Sequence, residues 1–206
     1  RDSHDPMLLP DMGKAVERLK RAVSTGEVIG IFGDFDTDGI SGTALLAKAL
    51  RELGATVVPY LPDRVDEGHG LNTMAVGVLR GQGVSLMVTV DCGSSSVDEI
   101  ALASALGIET IVTDHHTLPS SLPQAVALVN SNRPDSRYPY GDLTGAGLSF
   151  KLVQALWAAL GRPSPDHLLD LAALGTVADV APLTGENRYL LKRGLERLNS
   201  TENPGL

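Results

Sequence analysis

Residues 28–39 read VIGIFGDFDTDG: an apolar, β-branched run that breaks off into three carboxylates at alternate positions, Asp34, Asp36 and Asp38, between Gly33 and Gly39. The run has the composition of a strand buried on both faces. The next stretch, SGTALLAKALREL from residue 41, carries apolar residues at three- and four-residue spacing and predicts a helix. A buried strand that passes through a short turn into a helix is the unit from which parallel α/β sheets are built. The acidic turn has two readings: a cap for the helix after it, or part of a metal site.

The alternation continues along the chain. Strands are predicted at VIGIFGD (28–34), TVVPYL (56–61), SLMVTVD (85–91), ETIVTD (109–114) and AVALVN (125–130), separated by the helical patterns LNTMAVGVLRGQ and SVDEIALASAL. Gly54, Gly83 and Gly107 stand where those helices should stop. The expected architecture is α/β, a five-stranded parallel sheet flanked by helices. An N-terminal helix segment (1–26) precedes the parallel core (27–140), and a helical extension (141–200) leads toward a linker.

With 17 basic and 25 acidic residues the formal charge is -8, which argues against a surface that coats nucleic acid nonspecifically. Hydrophobic content of 43% is enough for one substantial core. No apolar run approaches the roughly 18 residues of a membrane helix, and the first residues lack the layout of a signal peptide, so a cytoplasmic protein without membrane contact is expected. Cys92 is the only cysteine, which excludes an intrachain disulfide and a cysteine-rich zinc cluster. Any metal must be held by oxygen and imidazole.

In an open parallel sheet the strand carboxyl ends share one edge, where ligands bind. GDFDTDG follows the first strand, DCGSSS (91–96) the third and DHH (114–116) the fourth, so Asp36, Asp38, Asp91, Asp114, His115 and His116 are delivered together. A strand order 2-1-3-4-5 would put the crevice between the first and third strands. Each segment alone has a plainer reading, as a cap, a strand end or a surface histidine pair. Their coincidence at successive strand ends favours divalent cations, because clustered carboxylates need a counter-charge. Two ions about 3.5–4 Å apart would form a clamp suited to phosphoryl chemistry.

These segments, with LLPDMGKAVERL, PYLPDRVDEGHGLN, LTGAGLSFKLVQAL and GTVADVAPLTGENR, resemble the DHH phosphoesterases and, within them, the RecJ family of bacterial single-stranded-DNA-specific exonucleases. The resemblance implies the strand order 2-1-3-4-5 and two Mn2+ or Mg2+ ions. One would be held by Asp36 and Asp91, the other by Asp38, Asp91, His115 and Asp179, with Asp91 bridging and Asp34 a doubtful further ligand. Asp179 enters through the resemblance alone. His116 is implied beside the scissile phosphate, and Asp114 is the group expected to fix an imidazole.

Arg64 is the phosphate-binding candidate outside the metals, with an ion pair to Asp63, Asp66 or Glu67 as its plainer reading. The glycine-rich helix start with Gly145 and Gly147 is a second place where amides could face a phosphate. His69 stands where relatives are expected to have tyrosine. The implied activity is 5′-to-3′ hydrolysis of single-stranded DNA to 5′ mononucleotides in recombination and repair. Single-stranded DNA is the implied substrate, with single-strand-binding protein and recombination helicases as partners and a monomer as the expected state. Another phosphodiesterase activity of the family, on oligonucleotides, cyclic dinucleotides or a bisphosphorylated nucleotide, and an inactive scaffold are the alternatives. A DHH-associated domain and an oligonucleotide-binding domain are expected outside these 206 residues.

Overall fold

The computed structural model describes residues 3–201 and 203–206. Helix α1 (Met12–Thr25) leads into β1 (Val28–Gly33), α2 (Thr37–Glu52), β2 (Thr56–Tyr60), α3 (Thr73–Gly81), β3 (Val84–Val90), α4 (Val97–Ala105), β4 (Glu109–Thr113) and β5 (Ala127–Val129). All pairings are parallel and the strand order is β2-β1-β3-β4-β5, as expected. The chain then becomes helical, with α5 (Gly145–Ala159), α6 (Leu169–Ala178) and α7 (Gly185–Leu198).

Side chains alternate across the pleat and so feed two cores. Ile29, Ile31, Leu86, Val88, Val90 and Ile111 enter one with residues of α1, α2, α5 and α6, while Phe32, Met87 and Val112 enter the other with residues of α3 and α4. Fully buried residues such as Ile29 and Ile31 each contribute about 1.5–3 kcal/mol of burial free energy. The helices α5 and α6 pack on α2, and α7 packs on α6, so the extension thickens one layer of the sheet. Among the described residues no helix is long and apolar enough to cross a membrane.

Most predicted ends shift by one or two residues, and two differences matter for the sheet and the site. β5 covers three residues rather than six, because its ladder to β4 runs only from Ala127 to Val129. Helix α2 starts at Thr37, inside the acidic turn, because Asp36 is its N-cap: the backbone is extended there and the side chain accepts the Gly39 amide. Asp36 and Asp38 therefore lie on the first turn of a helix.

Candidate metal centre

Three strands are each followed directly by an aspartate, and one device fixes all three. Asp34 follows β1 and its amide donates to the Val90 carbonyl at 3.1 Å. Asp91 follows β3 and donates to Thr113 O at 2.9 Å; Asp114 follows β4 and donates to Val129 O at 3.1 Å. Each residue is one step past its own strand yet still tied to the neighbouring one, so the sheet sets the spacing of the carboxylates. Asp91 turns the chain at that point with φ 64°, a left-handed conformation that aspartate tolerates better than most residues.

Helix α2 supplies the next two. Asp36 Oδ1 accepts the Gly39 amide at 2.9 Å. Asp38 is buried, and its two oxygens accept the Gly145 and Ala146 amides of α5 at 2.6 and 2.9 Å. From the other direction comes Asp179, half-buried at the C-terminal end of α6. His115 Nε2 lies 3.0 Å from Asp91 Oδ1 and 3.9 Å from Asp38 Oδ2.

The polar atoms left unpaired mark the centre. Asp34 Oδ1, Asp91 Oδ1 and His115 Nε2 are buried without a hydrogen-bond partner, the last two despite their proximity. Leaving such atoms unsatisfied costs about 1–3 kcal/mol each, more for charged groups. Ligand atoms of Asp34, Asp36 and Asp91 lie within 4.8 Å of one another, and so do those of Asp38, His115 and Asp179; Asp91, His115 and His116 form a third such group. Carboxylates with imidazole are a donor set for Mn2+, Mg2+ or Zn2+. The chemistry of these residues fits divalent ions, and the geometry puts Asp34 with Asp36 and Asp91.

The same crowding shows in the titration of the carboxyls. Burial pushes Asp91 up to about 7, with the Asp38 and Asp36 charges adding to the rise. Burial also raises Asp38, opposed by the Ala146 amide and reinforced by Asp179. Asp179 is raised by burial and by Asp36. A cation would reverse these trends.

Residues 28–176 match the DHH family, N-terminal domain. The chain belongs to the DHH family. It is 43% identical over 205 residues to the single-stranded-DNA-specific exonuclease RecJ of Bacillus subtilis (strain 168), a match that takes in 100% of the chain and 26% of that protein. The crystal structure of exonuclease RecJ bound to manganese matches with a TM-score of 0.86 and 40% identity over 94% of the chain and 49% of its own. RecJ from Thermus thermophilus in complex with Mn2+ matches with a TM-score of 0.82 and 38% identity, over 94% of the chain and 28% of its own. The chain thus spans about a quarter to a half of the length of these relatives. Asp179 lies just beyond the stretch that matches the family.

In this DHH domain the family's namesake histidines face different partners. His116 Nδ1 is 2.7 Å from Asp114 Oδ1, which also accepts the His116 amide at 3.1 Å, while Asp114 Oδ2 accepts the Ser94 amide at 2.9 Å. The Asp114 hydrogen bond raises His116 to about 9 against the opposing effect of burial. Burial pushes Asp114 upward, but the hydrogen bonds from His116 and Ser94 outweigh it and hold the carboxyl at about 2. The imidazole that Asp114 contacts is that of His116.

Arg64 is exposed and lies 5.2 Å from the centre of the Phe35 ring, an arrangement suited to a cation–π contact. Among the described residues it makes no ion pair. Glu67 is engaged by Tyr60, Asn72 and the Asp63 amide, and Asp63 by the amides of Val65 and Asp66. His69 also packs against Phe35, with ring centres 4.4 Å apart, and its Nδ1 is 3.8 Å from Asp34 Oδ2. The position that departs from the expected tyrosine therefore touches a candidate ligand, which its place in the sequence did not suggest. A cleft of about 350 Å³ opens here, lined in part by His69, Cys92, Ser96, Glu99 and His116. A larger cavity of about 830 Å³, lined by Ala44, Ala47, Pro59 and Leu174, holds none of the candidate ligands.

The expectation that Gly145 and Gly147 present amides to a phosphate is corrected. Both residues are buried; the Gly145 amide is committed to Asp38 and the Gly147 amide to Thr144 Oγ1. Cys92 is a buried packing residue whose thiol burial pushes well up. Trp157 and Phe150 are in the core.

Proposed function

We propose that this chain is the metal-binding catalytic part of a 5′-to-3′ exonuclease that hydrolyses single-stranded DNA to 5′ mononucleotides in recombination and repair. The observation that carries the reading is the set of buried, unpaired ligand atoms on Asp34, Asp91 and His115 at the strand ends, in a chain about 40% identical to RecJ exonucleases. Asp36, Asp91 and Asp34 would hold one ion, and Asp38, His115, Asp179 and Asp91 the other; manganese fits this donor set and magnesium is the alternative. Two divalent ions bound there supply charge neutralisation and activate water for in-line displacement at phosphorus.

The chain's own residues do the rest. The sheet fixes Asp34 and Asp91 before substrate arrives, so little reorganisation accompanies the reaction. His116, when its Asp114-bound ring is protonated, donates a hydrogen bond from Nε2 to a phosphate oxygen as negative charge builds there. Arg64 pairs with a neighbouring phosphate and keeps the strand in register. A bond forms between the water oxygen and phosphorus, the bond from phosphorus to the 3′ oxygen breaks, and that oxygen departs and takes up a proton. Single-strand-binding protein and recombination helicases are the partners proposed for this activity.

The test compares 5′-phosphorylated single strands, duplex DNA, short oligonucleotides and cyclic dinucleotides, with manganese or magnesium, in the full-length protein. Single strands should be degraded from the 5′ end, and Asp91→Ala should lose at least about 10³-fold in rate, a loss of about 4 kcal/mol in transition-state stabilisation. Preference for a cyclic dinucleotide, or an active Asp91→Ala variant, would overturn the reading.

A further inference from the structure

The two carboxylates assigned to the second ion come from elements far apart in sequence, α2 and the end of α6, and hydrogen bonds from one short segment reach Asp38 itself and residues on either side of Asp179, Thr176 and Pro182. We propose that residues 140–146 act as a yoke that sets the distance between Asp38 and Asp179, with Tyr140 and Asn187 as positioning residues for the second ion. The inference rests on the assignment of Asp38 and Asp179 as ligands.

On the Asp38 side the yoke is the start of α5, whose Gly145 and Ala146 amides hold both carboxylate oxygens. On the other side, Thr144 Oγ1 lies 3.3 Å from Thr176 Oγ1 in the last turn of α6. Helix α6 also approaches closely, since a Cβ on Gly175 would stand 2.5 Å from both Ala146 Cβ and Asp38 Oδ1.

Beyond Asp179 the chain needs holding. Val180 has φ 58° and is 87% exposed. A β-branched residue in the left-handed region is strained, and such conformations persist only where the surroundings enforce them. Two hydrogen bonds converge two residues later on the Pro182 carbonyl, from the Tyr140 hydroxyl at 3.1 Å and from Asn187 Nδ2 at 3.2 Å. The same Asn187 nitrogen donates to the Asp142 carbonyl at 2.6 Å, so buried Asn187 links the loop after Asp179 to the yoke. None of these groups is a ligand in any of the candidate groupings.

The experiment is a manganese titration of the 206-residue chain, followed by electron paramagnetic resonance, for wild type, Tyr140→Phe, Asn187→Ser and Asp179→Ala. Tyr140→Phe removes only a hydroxyl from a half-buried ring and should weaken the second binding event about 3- to 10-fold while leaving the first unchanged, as expected for one lost hydrogen bond. Asn187→Ser should weaken the same event further, and amides at 180–185 should exchange faster in both variants. General destabilisation would weaken both events together, and that pattern would overturn the yoke. Asp179→Ala should abolish the second event. If it retains two events, the ligand assignment fails and the yoke with it; if it loses one while Tyr140→Phe and Asn187→Ser bind both ions as wild type does, the assignment stands and the yoke fails.

Discussion

Asp91 leaves Gly145 no room for a side chain: a Cβ at residue 145 would stand 2.4 Å from the Asp91 Cβ. The start of α5 is thus pressed against the residue proposed to lie between the two ions. Gly145→Ala must move either the helix or the carboxylate, and the expected cost is about 1–3 kcal/mol of stability, the usual range for overpacking. Manganese affinity should fall at least tenfold. Gly147→Ala is the control, since its Cβ would meet nothing closer than 3.5 Å and alanine is favoured in a helix by about 1 kcal/mol. Urea unfolding and metal titration of both variants check this, and indistinguishable behaviour would count against the contact.

Asp114 and His116 make a pH prediction for the metal-free protein. His116 is raised from 6.5 to about 9, so its share of stability is complete below its unfolded value and is lost as pH rises through about 9. Asp114 is lowered from 3.8 to about 2, so its share is complete above its unfolded value and is lost as pH falls through about 2. The pair therefore supports the fold most fully between about pH 4 and 6.5. In Asp114→Asn the imidazole should titrate close to its ordinary value, which NMR of the His116 ring protons would read; a ring still titrating near 9 would show that Asp114 is not the cause.

Lys151 and Glu186 form an ion pair in which both side chains are fully buried, 2.9 Å apart. The pair is completed by the Tyr138 hydroxyl and the His4 amide, both donating to Glu186, and by the Lys151 ammonium donating to the His4 carbonyl. Burial lowers the lysine pKa, and the Glu186 charge opposes that. Lys151→Met strands a buried carboxylate and should cost about 3–5 kcal/mol in denaturant unfolding. Lys151→Met combined with Glu186→Gln should recover part of that loss; a double variant less stable than the single would contradict the account.

The sheet was legible because β-branched runs and helical spacing alternate from β1 to β4, and the order of its strands came from the resemblance. Asp36, Asp38, Asp91 and His115 were legible because parallel strands carry their C-terminal residues to one edge. Asp36 answers to both readings of the acidic turn, as it caps α2 and joins the first ligand group. Asp179 had no such signal: it closes a helix far along the chain, and only the family pattern marked it. The glycine-rich start of α5 was read as a seat for an external anion. The physics was sound, but the anion is the chain's own Asp38. Tyr140 and Asn187 carry no pattern at all, because what they do depends on which loops the fold brings together.

Asp34, Asp91 and Asp114 each donate a backbone amide to the last carbonyl of the adjacent strand. Their spacing is therefore maintained by the most cooperative part of the molecule, and loosening it means opening the sheet. A candidate metal centre anchored this way is resistant to drift: sequence change in the surrounding helices and loops can alter what enters the cleft while the carboxylates keep their places. Innovation at such a site is confined to its rim, where His69 already departs from the expected tyrosine.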